Sequence, residues 1–313
     1  MTVTRSVAVL LLLSAACRAA PIPPDQRYPA GTPFEAQYRV VNGTRLRVID
    51  AGHGTPVVFL HGFGASLYSW RKQLPPIAAA GYRVIAFDNA GFGFSGQPHG
   101  QGYSNAAYVR LAVALLDSLG VSNAVLVGHS MGGAIAAEVA LVHPDRIRGL
   151  VLIDAAGYGI RWPAVLKLAR WPLVGAVATG LRGKWITARL LRSTYADPSK
   201  VSQEDIDQYY APVPQRGYGG TLSGVLGEFR FDTLVGWLGA IQAPTLVLWG
   251  AEDRWIPVRV GARLAGELPR AAFIEVPHAG HATPEEAPDE VNRVLLAFLK
   301  DGLPRIPENL AWR

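Results

Sequence analysis

Short apolar runs alternate along the chain with longer segments whose apolar positions recur every three to four residues. The runs at 57–60, 84–87, 124–127, 150–153, 245–249 and 272–276 are nearly continuous in Val, Leu, Ile, Ala and Phe, as strands buried on both faces of a sheet are. Helices are expected near 66–80, 106–119, 131–143, 258–268 and 284–299, each limited by Gly, Pro or a capping residue. Ahead of them, 37–41 and 45–49 are joined by Asn42-Gly43, a dipeptide suited to the type I′ turn of a hairpin. Strand and helix in regular exchange predict an α/β domain around a mostly parallel sheet. No internal repeat interrupts it.

The segment 157–239 breaks the alternation. It holds Trp162, Trp171, Trp185 and Trp237, half of the eight tryptophans, and Arg161, Lys167, Arg170, Arg182, Lys184, Arg189 and Arg192 precede its first acid, Asp197. Such a basic, aromatic stretch suits an anionic membrane surface. The simpler reading is a helical layer whose apolar face roofs a pocket while its arginines reach into water. An apolar roof implies a small apolar substrate, or an apolar portion of one.

Residues 1–20 are expected to be a signal peptide. Arg5 supplies the positive end, 7–13 the apolar core and Ser14-Ala15-Ala16 a small-residue exit. Cys17, the single cysteine, follows at once and resembles the lipidated cysteine of a bacterial lipobox, except that Ser14 stands where leucine is usual. The alternative is plain secretion with cleavage near Ala20. Both place the protein outside the cytoplasm, in the cell envelope or periplasm, with membrane attachment through Cys17 in the first case. Residues 21–34, with Pro21, Pro23, Pro24, Pro29 and Pro33, read as a stiff linker.

Candidate chemistry centres on Gly128-His129-Ser130-Met131-Gly132, which follows the run 124–127 and opens a helix-compatible stretch. Strand, sharp turn and helix around Gly-x-Ser-x-Gly describe a nucleophile elbow, in which a strained backbone lifts the serine above the sheet. A serine hydroxyl needs a histidine to take its proton and a carboxylate to orient that histidine. Asp253 follows the run 245–249, and His281 follows 272–276, so both fall at the sheet edge that carries Ser130. Competitors stand nearby: His278 for the base, Glu252 and Asp154 for the acid.

The sequence resembles the α/β-hydrolase fold superfamily over most of its length. Besides the elbow, the resemblance rests on His61-Gly62-Phe63-Gly64, on Asp88-Asn89-Ala90-Gly91-Phe92-Gly93-Phe94-Ser95, on Gly250-Ala251-Glu252-Asp253-Arg254-Trp255-Ile256-Pro257 and on Gly280-His281. It implies a core of 35–156 and 240–303 with 157–239 as an inserted helical cap. It also implies a triad of Ser130, Asp253 and His281, with the backbone N–H groups of Phe63 and Met131 as the oxyanion hole. The family pattern puts the base directly after glycine, which favours His281 over His278. Some members carry the acid where Asp154 stands. His61 and His129 then read as positioning residues, and His53, His99 and His143 as surface or loop histidines.

The implied activity is hydrolysis of carboxylic esters through an acyl-enzyme. Serine at the elbow argues against the dehalogenases and epoxide hydrolases of this fold, which use aspartate there. A carbon–carbon bond hydrolase uses the same triad but commonly carries tryptophan after the histidine, where Ala282 stands. A cofactor-free perhydrolase is a further alternative, and a weakly catalytic binding protein is an alternative of another class.

Charge and composition add limits. The net charge of +6 and pI near 9.5 raise the question of nucleic acid, but no nucleic-acid module is visible and much of the positive charge lies in 157–239. The histidines are dispersed and there is no cysteine pair, so no metal site is expected. Gly91-x-Gly93 lacks the remaining glycine of a dinucleotide fingerprint, and no cofactor is expected.

Overall fold

Asn42 and Gly43 both take positive φ, 48° and 76°, and close the predicted hairpin between β1 (Gln37–Val41) and β2 (Thr44–Ala51). The structure, a computed structural model, describes residues 34–98, 100–158 and 183–302. Every apolar run becomes a strand: β3 (Pro56–Leu60), β4 (Arg83–Phe87), β5 (Ala124–His129), β6 (Ile147–Ile153), β7 (Thr245–Gly250) and β8 (Ala271–Val276). They form one sheet in the order β1-β2-β4-β3-β5-β6-β7-β8. β2 runs antiparallel to both β1 and β4, and all pairings from β4 to β8 are parallel. The expected signal peptide, the linker and Cys17 lie outside the described residues, as do His99, Trp162 and Trp171.

The helices among the described residues are α1 (Leu74–Ala79), α2 (Asn105–Ser118), α3 (Met131–Val142), α4 (Lys184–Ser193), α5 (Gln203–Tyr210), α6 (Tyr218–Glu228), α7 (Val258–Glu267), α8 (Thr283–Glu286) and α9 (Pro288–Asp301). None is long and apolar enough to cross a membrane. Successive strand residues feed opposite layers. Val58, Leu60, Leu126 and Leu152 share a core cluster with α2 and α3, and Trp249 on the same face lies against Gly261 of α7, whereas Val57, Phe59, Val127, Ile153 and Leu248 share a cluster with α9. Two covered faces explain why the runs are continuous rather than alternating.

Two expected helices are each broken in two. The stretch 66–80 is a 3-10 turn, Leu67–Trp70, followed by α1. Pro75 and Pro76 cannot sit inside a longer helix, where their rings would strike the preceding turn, but they fit the first turn of α1. The stretch 284–299 divides into α8 and α9 at Ala287 (φ −127°, ψ 55°), because the residue before Pro288 is driven out of the helical region. α4, α5 and α6 all fall between β6 and β7, the interval in which the sequence loses its alternation.

Candidate active site

Parallel strands of this sheet end along one edge, and the chemistry-bearing residues lie there. Ser130 joins β5 to α3 at φ 51° and ψ −118°, a conformation that a non-glycine residue holds only when its surroundings over-determine it. They do so here. Ser130 N donates to Ile153 O (3.0 Å), and Ser130 O accepts from Gly133 N (2.9 Å) and Ala156 N (3.0 Å). Gly132 allows the turn to lie against β3, since a Cβ there would stand 2.1 Å from Leu60 O.

His281, between β8 and α8, reaches this serine: its Nε2 is 2.9 Å from Ser130 Oγ, and its Nδ1 is 2.8 Å from Asp253 Oδ2. A carboxylate only accepts, so Nδ1 carries the proton and the Nε2 lone pair faces the serine hydroxyl. Asp253 is fixed in turn. Its Oδ1 accepts from Trp255 N (2.7 Å) and Ile256 N (2.9 Å). All three side chains are buried, so water does not screen their interaction. Burial pulls the His281 imidazole down, but the Asp253 carboxylate, through charge and hydrogen bond, carries it above the ordinary histidine value. Trp255 stacks on the ring at 5.6 Å between centroids and 6° between planes.

The competing residues are occupied otherwise. Asp154, in a left-handed conformation at the end of β6, is fully buried and accepts from Gly250 N (2.8 Å) through Oδ1. Burial, with the Asp253 charge added, pushes its carboxyl well above the usual range and toward the neutral form. His129 Nε2 donates to His281 O (2.7 Å), and burial holds its ring at a pKa of about 3, so it stays neutral. His61 donates through Nδ1 to Gly62 O (2.8 Å) and accepts through Nε2 from Asn89 N (2.8 Å), which leaves no ring nitrogen for catalysis. His278 is exposed beside Glu252, 3.7 Å away. His53 is exposed and His143 is half-buried at the end of α3.

The two expected oxyanion donors flank the serine. Met131 opens α3, so its N–H has no intrahelical acceptor and sits at the positive end of the helix dipole. Gly62 packs so close that a Cβ on it would lie 3.1 Å from Ser130 Cβ, which brings the peptide joining it to Phe63 against the nucleophile. His129, Asp154 and His281 offer ligand atoms within 4.8 Å of one another. Both His281 nitrogens and His129 Nε2 are already committed to hydrogen bonds, so the trio presents no free imidazole pair to an ion. Sequence reasoning missed the stacking of Trp255 on His281 and the hydrogen bond that Glu286 accepts from Gly280 N beside that histidine. The only signals were an aromatic residue two positions after Asp253 and an acid two positions before a helix-opening proline.

This constellation on this sheet defines a class. A family model described as "alpha/beta hydrolase fold" matches residues 55–183 and 199–288, more than half of the chain, and the protein belongs to that family. It is a hydrolase of that fold. Among its relatives, the 2-hydroxy-6-oxo-6-phenylhexa-2,4-dienoate hydrolase of Burkholderia cepacia is 32% identical over 269 residues, covering 82% of this chain and 92% of that protein. The solved meta-cleavage product hydrolase CumD of Pseudomonas fluorescens IP01 superimposes with a TM-score of 0.74 at 27% identity, covering 85% of this chain and 97% of that one. A thermophilic esterase from Thermogutta terrifontis gives 0.73 at 25% identity, with coverages of 86% and 99%.

Proposed function

We propose that the protein is a serine hydrolase that cleaves carboxylic esters of apolar substrates through an acyl-enzyme. The observation that carries this reading is the unbroken hydrogen-bonded line from Ser130 Oγ through His281 to Asp253. His281 Nε2 takes the Ser130 proton as Oγ attacks the ester carbonyl carbon, and the oxygen of the tetrahedral intermediate receives hydrogen bonds from the N–H groups of Phe63 and Met131. One such donor is worth about 3 kcal/mol in comparable chemistry. The imidazolium, stabilised by Asp253 and by the Trp255 face, returns the proton to the leaving alkoxide. Water then repeats the sequence on the acyl-enzyme and frees Ser130. The described part of the insertion, α4 to α6, serves as a cap beside this site and offers apolar surface to the substrate. The leader carries the enzyme to the cell envelope, where lipid on Cys17 holds it at a membrane. Intact mass of the membrane fraction tests that placement, and a soluble chain starting near Ala20 replaces it with simple secretion.

Carbon–carbon hydrolysis is the second reading, favoured by the relative named above that acts on a dienoate. Ester cleavage is preferred because Ala282, where carbon–carbon hydrolases commonly carry tryptophan, is buried in an apolar cluster with α4 and α5. The deciding experiment pits p-nitrophenyl esters of graded acyl length against a ring-cleavage dienone. Ester turnover with acylation of Ser130 is expected. Turnover of the dienone alone replaces this reading with the second, and binding without any turnover replaces it with a binding protein.

A further inference from the structure

The loop that carries His281 is gripped from both sides by one short stretch of the insertion between β6 and β7, residues 193–197. Ala282 N donates to Thr194 O at 3.0 Å. Gly280 N donates to Glu286 Oε2 at 2.7 Å, and the same oxygen accepts from Ala196 N at 2.9 Å while Oε1 accepts from Asp197 N at 2.8 Å. Trp255 donates its Nε1 to Ser193 O at 3.2 Å. The two backbones touch: a Cβ on Gly280 would lie 2.6 Å from both Ala196 N and Thr194 O.

We propose that Glu286 is a positioning residue for His281. Its buried carboxylate joins the N–H that precedes the histidine to two N–H groups of the insertion, so that the docked insertion sets the imidazole over Ser130. The proposal rests on Ser130 and His281 acting as nucleophile and base. Three N–H donors converge on this carboxylate at 6% exposure. A carboxamide brings one acceptor oxygen and one NH₂, so at least one of these N–H groups would face another donor. The insertion has a separate anchor beside this junction. Arg71 is paired with Asp205 of α5 and with Glu285 of α8, and Tyr209 of α5 also donates to Glu285. Glu286→Gln therefore leaves the insertion docked and disturbs the histidine loop.

The test is the rate at which a fluorophosphonate labels Ser130, a reaction that needs the aligned base whatever the natural substrate is. It is read on the alkaline plateau, where the imidazole is neutral. Glu286→Gln is expected to label about tenfold to 10²-fold more slowly, as small misplacements of a catalytic group do. Its kcat should fall by the same ratio and its KM should stay within about twofold. Lys200→Met, which removes the half-exposed cation 3.8 Å from the same carboxylate, should label at the wild-type rate. Folded Glu286→Gln that labels like wild type overturns the proposal, as does equal slowing by Lys200→Met. If Glu286→Gln does not fold, Gly280→Ala wedges the same junction from the other side, and normal labelling of that variant overturns the proposal. Wild-type protein that never labels removes the nucleophile reading itself, and the proposal with it.

Discussion

The serine half and the histidine half of the site are built by different means. Ser130 is fixed through its backbone: β5 and α3 force the turn, and the peptide hydrogen bonds to β6 and its following loop lock it. His281 is fixed by residues remote from it. Asp253 comes from the loop after β7, Trp255 from the same loop, Ala282 N donates to Thr194 O of the insertion, and Gly280 N donates to Glu286, which also accepts from Ala196 N and Asp197 N. The nucleophile is thus held by its own turn and by backbone hydrogen bonds along the sheet edge, whereas the base is held by side chains from other loops and by a loop that touches the insertion.

The largest effect is expected from removing the nucleophile. Ser130→Ala should abolish ester turnover and fluorophosphonate labelling while circular dichroism stays that of wild type, and residual labelling would mean that the elbow is not the reactive half. On the histidine side, Asp253→Asn should lower kcat by roughly 10⁴, the cost of losing the orienting carboxylate in a comparable triad.

The two halves also respond differently to pH. The base acts only when neutral, and the His281 pKa is held above 6.5, so kcat/KM should fall as pH drops through a midpoint above that value. In Asp253→Asn the raising charge is gone and burial remains, which should move the midpoint downward. A wild-type midpoint below 6.5 would contradict the electrostatics described for the ring. Replacing Trp255 by leucine removes the face that steadies the imidazolium and one link to Ser193, and about a tenfold loss in kcat is expected from steady-state kinetics. The smallest effect should come from Asp154→Asn, below tenfold, because asparagine is isosteric with the neutral acid and keeps the oxygen that accepts from Gly250 N. A larger loss than in Asp253→Asn would transfer the acid to the end of β6.

The sequence determined the sheet, the elbow and the short list of partners, because each of these is written in few adjacent residues. Continuous apolar runs of four or five residues bounded by turn residues read as strands covered on both faces, Asn42-Gly43 selects one turn, and glycines around Ser130 admit a backbone that other residues exclude. It placed Asp253 and His281 at the sheet edge that carries Ser130 but left Asp154, Glu252 and His278 beside them, since one sequence cannot state which of several loop ends meet. The prolines that split 66–80 and 284–299 were visible, yet periodicity ran across them. What tertiary structure alone decided is the pairing. A distance of 2.8 Å between Nδ1 of one loop and Oδ2 of another depends on how two strands register, and the linking of Glu286 to both Gly280 and the insertion depends on how a whole layer docks. Local backbone conformation is a property of short segments and can be read from them. Convergence of distant loops is a property of packing, and emerges only when the core that holds them is complete.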